Sequence, residues 1–122
     1  MLTIGSIVLG VSDVPRATAF WTRALSYVPR DEPGDDWVVL VPSSGHGPGL
    51  SLGRSDVPPQ PRPRVHLDLY ATDAAAQAAE VKRLLALGAR RVDWDSYPED
   101  PDFVVLADPD DNLFCVIDTS HP

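Results

Sequence analysis

A short segment in the second half of the sequence carries side chains that could do chemistry together. His66, Asp68 and Tyr70 stand two positions apart, so on an extended strand they share one face of the sheet. An imidazole titrates near neutral pH, so His66 is a candidate general base or hydrogen-bonding group for a ligand, with Asp68 as its neighbour. Strand rise separates the two by roughly 7 Å, so the sequence does not guarantee a direct contact. The alternative is a half-buried histidine satisfied by Arg64, Asp68 or Tyr70.

The single cysteine, Cys115, is a second candidate. A thiol becomes a nucleophile only when a neighbouring group lowers its pKa, and the sequence places no base beside this one. We therefore interpret Cys115 as a small, buried, apolar side chain. The acidic segment 93–102 lacks the spacing and the glycine of a calcium-binding loop, so we predict a solvated loop there.

The elements that would position these residues occur twice along the chain. In each half an apolar strand ends in a capping aspartate, Asp13 or Asp73, and a helical repeat of apolar side chains follows. The second helix is expected to bury one stripe and to end at Gly88; its members are Ala74, Ala78, Val81, Leu84 and Leu85. Further strand patterns close each half, at 36–42 and 50–52 and again at 102–109 and 113–117. The order predicts an α+β fold of two βαβββ modules.

A run of four prolines within residues 57–63 divides the two modules. Proline donates no backbone hydrogen bond and breaks helices and sheets, so this run predicts an extended linker. The first module is then 1–56 and the second 64–122. We expect both to belong to one domain, 1–122, because a module of about sixty residues buries too little surface alone.

Strand alternation and the repeat predict a second sheet face that mixes aromatic and polar side chains. Val65, Leu67 and Leu69 are expected to pack under the second helix, and their neighbours to point the other way. The side chains that we expect to line a ligand cavity on that face are Ser6, Trp37, Val39, Ser51, Arg64, His66, Asp68, Tyr70, Phe103 and Cys115. A concave, mostly apolar surface with few polar groups is typical of a small-molecule site. A packed interface with another sheet or subunit is the alternative.

Charge and composition exclude several classes of partner. The formal net charge is −8, and such a surface repels the phosphates of nucleic acids and the head groups of anionic lipids. We therefore expect neither nucleic-acid nor membrane binding. A lone cysteine is in keeping with a reducing compartment, and the first residues show neither the basic region nor the small-residue cleavage site of a signal peptide, so we expect a cytoplasmic protein.

Four short motifs together resemble a known family. They are Phe20-Trp21 after the first capping aspartate, Val-His-Leu-Asp-Leu at 65–69, Leu-Gly-Ala at 87–89, and Asp-Pro-Asp-Asp-Asn-Leu-Phe-Cys at 108–115. This combination resembles the vicinal oxygen chelate superfamily, and within it the short glyoxalase-like domains. The superfamily includes glyoxalase I, bleomycin-resistance proteins, fosfomycin-resistance enzymes and extradiol dioxygenases. Two positions depart from the pattern without threatening the fold: Asp111 replaces a turn glycine, and Ser26 stands where the second half has Gly88.

The resemblance implies metal ligands on the first and last strands of each half, at Ser6, Ser51, His66 and Cys115. Of these residues His66 alone is a good ligand for the divalent ions of the family, which favour imidazole and carboxylate. We therefore expect no metal and no cofactor. The function that the resemblance then implies is metal-independent binding of a small aromatic or amphipathic molecule, as in the drug-sequestering members.

An enzyme is the alternative function. It would be a lyase, dioxygenase, isomerase or cyclase of the same superfamily, using His66 with a divalent metal, or His66 and Asp68 as acid–base groups. A structural or regulatory dimer without a ligand is a third hypothesis. The resemblance also implies a homodimer, because short members of the superfamily usually complete their cavities across subunits.

Overall fold

The order of strands and helices in the first half of the chain recurs in the second half. A computed structural model describes all 122 residues and divides into two units, residues 1–58 and 59–122. The division falls inside the proline-rich segment 57–63. Neither helix has the length and apolar character that crossing a membrane requires.

The first unit contains one helix and a four-stranded mixed sheet. Its elements are β1 (Ser6–Val11), α1 (Val14–Leu25), β2 (Tyr27–Pro29), β3 (Trp37–Pro42) and β4 (Gly49–Arg54). The strand order is β1-β4-β3-β2, with β1 parallel to β4 and the other pairs antiparallel. On α1 the apolar side is buried, and Trp21 is only 1% exposed. Its ring meets that of Phe20 edge-on at 5.0 Å between centroids, so both aromatic residues belong to the core.

The second unit repeats this arrangement. Its elements are β5 (Leu67–Ala71), α2 (Ala74–Leu87), β6 (Arg90–Arg91), β7 (Phe103–Ala107) and β8 (Leu113–Asp118). The strand order is β5-β8-β7-β6, again with the first and last strands parallel. The prediction of two βαβββ modules in an α+β fold is confirmed.

Both helices begin and end as the sequence indicates. The carboxylates of Asp13 and Asp73 accept the backbone N–H groups of Arg16 at 3.0 Å and Ala76 at 2.7 Å. At the other ends, Ser26 and Gly88 adopt left-handed backbone with φ of 55° and 119°. A left-handed residue after the last turn lets backbone N–H groups return to the final carbonyls.

The turn between β7 and β8 tolerates Asp111 as expected. Asp111 has φ of 65°, a region that aspartate enters more readily than most residues. Its carboxylate accepts two hydrogen bonds from Arg90, the shorter at 2.7 Å. The buried Asp108 accepts the backbone N–H groups of Asp110 and Asn112, both at 2.9 Å. These bonds close the turn without a glycine.

The strand expected from position 64 begins three residues later. The partner strand β8 starts at Leu113, and Leu67 pairs with Phe114, so Val65 runs past the end of its partner. Val65 is 77% exposed, and its expected place under α2 was wrong.

The stripe expected on α2 was also partly wrong. Val81 and Leu84 are buried, but Ala74 and Ala78 are exposed. The helix presents Gln77 to the sheet instead, and its side-chain amide donates to the carbonyls of Asp102 and Val116, both at 3.0 Å. A polar side chain that satisfies two backbone carbonyls thus occupies part of the helix face that was expected to be apolar.

The two helix ends form a matched pair for a stability test. We expect Gly88→Ser to lower the free energy of unfolding by about 1 kcal/mol, because a side chain disfavours left-handed backbone. A Cβ at this position meets only Pro109 Cγ at 3.5 Å, an ordinary contact. For Ser26→Gly we expect an increase of about 0.5 kcal/mol, since relief of strain is partly offset by the entropy of glycine. Urea unfolding measures both, and effects of the same sign at the two positions would contradict the assignment.

Candidate functional site

A cleft of about 610 Å³ lies in the second unit, within the size range of small-molecule sites. Its walls combine alternate residues of three strands with two loops. The strand and strand-end residues are His66, Asp68, Tyr70, Phe103, Val105, Leu113, Phe114, Cys115 and Ile117, and the loop residues are Arg62, Pro63, Trp94, Ser96 and Asp102. The sheet face that carries Asp68 and Tyr70 is therefore concave and largely apolar, with few polar groups.

His66 and Asp68 form a direct pair at this cleft. His66 Nδ1 lies 3.1 Å from Asp68 Oδ1, and both side chains are a little less than half exposed. Spacing along a strand did not require this contact. His66 immediately precedes the first residue of β5, and its side chain reaches along the strand to Asp68.

Cys115 lies in the middle of the cleft floor. It is 9% exposed, and strand β8 pairs it with Asp68 on one side and Val105 on the other. Burial raises the pKa of the Cys115 thiol to about 11, and the Asp68 carboxylate adds to that rise. At neutral pH the thiol is therefore protonated, as expected of a structural cysteine.

The loop between β6 and β7 closes one side of the cleft. Arg62 lies 5.0 Å from the centroid of the Trp94 ring, pairs with Asp95 and donates to Ser96 Oγ at 3.1 Å. The hydrogen bond from Arg62 lowers the pKa of the Asp95 carboxyl. The acidic segment is exposed, as predicted, but these contacts attach it to the segment that precedes β5.

Tyr97 holds the same loop against β7. Strand β6 pairs only with Leu106 and Ala107, which leaves the rest of that edge without a strand partner. The backbone N–H of Val105 donates to Tyr97 Oη at 2.7 Å, and the Tyr97 ring packs against Phe103 with centroids 5.2 Å apart. The loop therefore satisfies an edge donor and supports an aromatic wall of the cleft.

The first unit carries the other predicted site residues on one face of its own sheet. Ser6 Oγ and Ser51 Oγ are hydrogen-bonded at 2.6 Å, and Val39 pairs with Ser51 in the sheet. Trp37 covers Gly53, where a Cβ would lie 3.2 Å from its ring. The two serine hydroxyl groups therefore satisfy each other, and the Trp37 ring covers the backbone of Gly53.

The structure thus groups the predicted site residues by unit. His66, Asp68, Tyr70, Phe103 and Cys115 come together in the cleft. Arg64 does not line it, because it lies in the bend before β5, where its backbone N–H faces Gln60 Oε1 at 3.4 Å.

Several residues that line the cleft were not predicted from the sequence. Leu113 and Ile117 share the face of Cys115 by strand alternation, so that signal was available. Arg62, Ser96 and Asp102 come from irregular segments that carry no periodic pattern.

A family comparison supports the fold and this arrangement of strands. The model of the glyoxalase-like domain matches residues 6–117, which is nearly the whole chain. The protein therefore belongs to the glyoxalase-like domain family, and the resemblance to the vicinal oxygen chelate superfamily is confirmed. No curated protein matches the chain.

Solved structures share the fold at low sequence identity. A glyoxalase/bleomycin resistance protein/dioxygenase family enzyme from Burkholderia phytofirmans has a TM-score of 0.75 at 14% identity, covering 96% of this chain and 98% of that one. The fosfomycin resistance protein FosX from Listeria monocytogenes has a TM-score of 0.74 at 18% identity, and the match covers 97% of this chain and 91% of that one. Lactoylglutathione lyase from Agrobacterium tumefaciens has a TM-score of 0.67 at 21% identity, and the match covers 98% of this chain and 96% of that one. At such low sequence identities, these similarities show that the fold is shared and show nothing about the activity.

The metal site that the superfamily implies does not fit the residues of this chain. Ser6 and Ser51 offer only hydroxyl groups, which are hydrogen-bonded to each other. His66 supplies an imidazole, but the last-strand position holds the Cys115 thiol where the family has a carboxylate. The oxygen-rich set that suits Mg²⁺ or Mn²⁺ is therefore not assembled at these positions.

The environment of Cys115 predicts slow alkylation. We expect iodoacetamide to modify Cys115 at pH 8 about tenfold more slowly than an exposed peptide cysteine. A pKa near 11 leaves about a hundredfold less thiolate, and the greater nucleophilicity of a more basic thiolate recovers part of that loss. Mass spectrometry of a time course measures the rate.

A matched pair of variants tests whether the Asp68 carboxylate contributes to the slow alkylation of Cys115. Asp68→Asn removes a negative charge beside the sulfur, which lowers the thiol pKa, so alkylation should become faster. Asp102→Asn changes another carboxylate of the same cleft and should leave the rate unchanged. No acceleration in Asp68→Asn would contradict the electrostatic coupling.

Proposed function

We propose that the cleft of the second unit binds a small aromatic or amphipathic molecule and needs no metal ion to do so. The observation that carries this proposal is a concave volume of about 610 Å³ whose walls combine the aromatic rings of Tyr70, Phe103 and Trp94 with the polar His66–Asp68 pair. Small-molecule sites generally have this composition.

Aromatic burial would supply most of the affinity. The Tyr70 side chain is 78% exposed, so a ligand lying against it removes a large apolar surface from water. The Phe103 ring is held in place by Tyr97, and the Trp94 ring by Arg62. Rings that are already fixed lose little entropy on binding, and each contributes about 1 kcal/mol or more to a stacked ligand.

The His66–Asp68 pair would orient the ligand. The 3.1 Å approach of Nδ1 to the Asp68 carboxylate would hold the imidazole ring, so that the other ring nitrogen could meet a polar group of the ligand in a defined position. Metal independence rests on the donor chemistry, because the family positions in the first unit are serines bonded to each other.

The solved relatives support a function in small-molecule chemistry only in general terms. One is called a fosfomycin resistance protein and another a lactoylglutathione lyase, and both names refer to small molecules. The ligand of the present cleft is defined by its own residues, which favour a planar apolar framework with one hydrogen-bonding group.

A calorimetric titration with 2-naphthol tests the proposal, since this probe has a planar bicyclic ring and one hydroxyl group. We expect saturable binding to metal-free protein. Phe103→Ala should weaken it about tenfold by removing a stacking surface. His66→Ala should weaken it several-fold by removing one hydrogen bond.

Val65→Ala is the matched control, because Val65 is a highly exposed apolar residue of the same unit that does not line the cleft. The affinity of this variant for 2-naphthol should equal that of the unchanged protein. Binding that is insensitive to Phe103 and His66, or that disappears when metal is removed with a chelator, would overturn the proposal.

A second candidate function, metal-free acid–base catalysis, is favoured by the 3.1 Å His66–Asp68 contact. A carboxylate that accepts Nδ1–H leaves Nε2 unprotonated, which is the form of imidazole that removes a proton from a substrate. The substrate would occupy the same cleft, as in an isomerase or cyclase.

The tautomer of His66 tests this candidate directly. Nitrogen-15 NMR above the titration range of the imidazole should show the Nδ1–H form at His66, held by Asp68. In Asp68→Asn the signal should shift toward the Nε2–H form. His46, in an exposed turn of the first unit, is the internal reference, and identical spectra for the two histidines would contradict a fixed pair.

A further inference from the structure

A second groove, of about 490 Å³, lies beside the cleft in the same unit. Arg62, Trp94 and Leu113 line both cavities, so the groove and the cleft share a wall. None of the positions at which the superfamily implies metal ligands lines this groove. A ligand of the cleft that extends past the shared wall therefore enters a cavity with side chains of its own.

The shared wall is held in place by several contacts. The Arg62 guanidinium lies 5.0 Å from the centroid of the Trp94 ring and is anchored by Asp95 and by Ser96 Oγ. The backbone N–H of Trp94 donates to the carbonyl of Val92 at 2.9 Å, so residues 92–94 form a tight turn. Asp93 is the central residue of this turn, and its exposed side chain lines the groove next to the wall.

The charges of the groove leave one carboxylate without a partner. Two arginines and three aspartates line it. Arg62 is paired with Asp95, and the Arg90 guanidinium donates to Asp111 Oδ1 at 2.7 Å. The carboxylate of Asp93 has no hydrogen-bonding or ionic partner. An anion would have to displace an aspartate from one of the arginines, whereas a cation meets a charge that is already available.

The rest of the groove is apolar. Pro59, Pro61, Val92 and Leu113 contribute hydrocarbon surface to its walls. A flexible alkyl chain that ends in an ammonium group matches this surface, because its methylene groups pack against the apolar walls while its charge stays in water beside a carboxylate. The formal net charge of −8 favours the approach of the same class of molecule.

We propose that the groove is a second subsite, which takes a positively charged alkyl chain carried by the aromatic ligand of the cleft. Asp93 is the residue that recognises the charge. The subsite rests on the proposed function, because its occupant is attached to the molecule in the cleft. It narrows the ligand to an aromatic molecule with a flexible cationic chain.

Calorimetric titration of the metal-free full chain with two series of 2-naphthol derivatives tests the subsite. Each derivative carries an alkyl chain of varied length at the ring position most distant from the hydroxyl group, and the chain ends in a primary amine in one series and in an alcohol in the other. At one chain length we expect the amine to bind about threefold more tightly than the matched alcohol, as for an exposed ion pair. Raised salt should reduce this advantage.

Two variants that remove the same charge show whether Asp93 is responsible. Asp93→Asn should abolish the advantage of the amine over the alcohol and leave the affinity for unsubstituted 2-naphthol unchanged. Glu99→Gln is the matched control, because Glu99 is an exposed carboxylate of the same loop that lines neither cavity. It should retain the full advantage of the amine.

Two results would contradict the subsite. One is an amine that binds no better than its alcohol at every chain length. The other is an equal loss in Asp93→Asn and Glu99→Gln, which indicates diffuse attraction to an acidic surface. In either case saturable binding of 2-naphthol keeps the proposed function intact, whereas a failure of 2-naphthol itself to bind counts against the proposed function, so the two failures are told apart.

Discussion

The parallel pairing of the first and last strands in each unit is the constraint on which the site depends. In the second unit this pairing sets Asp68 beside Cys115, and the antiparallel pairing of β7 sets Val105 on the other side of the same sulfur. A shift of one residue in either strand would turn these side chains to the opposite face. The capped helix between the paired strands supports that register, because Asp73 and Gly88 fix where α2 begins and ends. The chemistry of the cleft is therefore a consequence of sheet register.

The same register in the first unit carries different chemistry. Val8 pairs with Ser51 as Asp68 pairs with Cys115, so a methyl-bearing side chain occupies the place of the carboxylate. The first-strand residue there is Ser6, whose hydroxyl group bonds to that of Ser51 at 2.6 Å. Two hydroxyl groups that satisfy each other need neither a ligand nor an ion. The same strand order thus carries two hydroxyl groups bonded to each other in the first unit and a carboxylate beside a thiol in the second.

The repeat made most of the fold predictable from the sequence. The capping aspartates marked the starts of both helices, and the period-two patterns located the strands, although β5 begins three residues later than the pattern indicated. The His66–Asp68 contact could not be predicted, because it depends on the orientations of two side chains that stand two positions apart, which the strand pattern does not determine. Arg62 and Ser96 reach the cleft from loops, whose path is decided by tertiary contacts such as the stacking on Trp94.

The position of Asp68 affects the reactivity of the cleft floor. A carboxylate near a buried sulfur opposes formation of the thiolate, since a second negative charge would stand in a poorly solvated place; burial and Asp68 together raise the pKa of Cys115 to about 11. Nucleophilic chemistry at this cysteine is therefore disfavoured. The register that places Asp68 beside Cys115 therefore also keeps the thiol protonated, and the cleft floor acts as a binding surface.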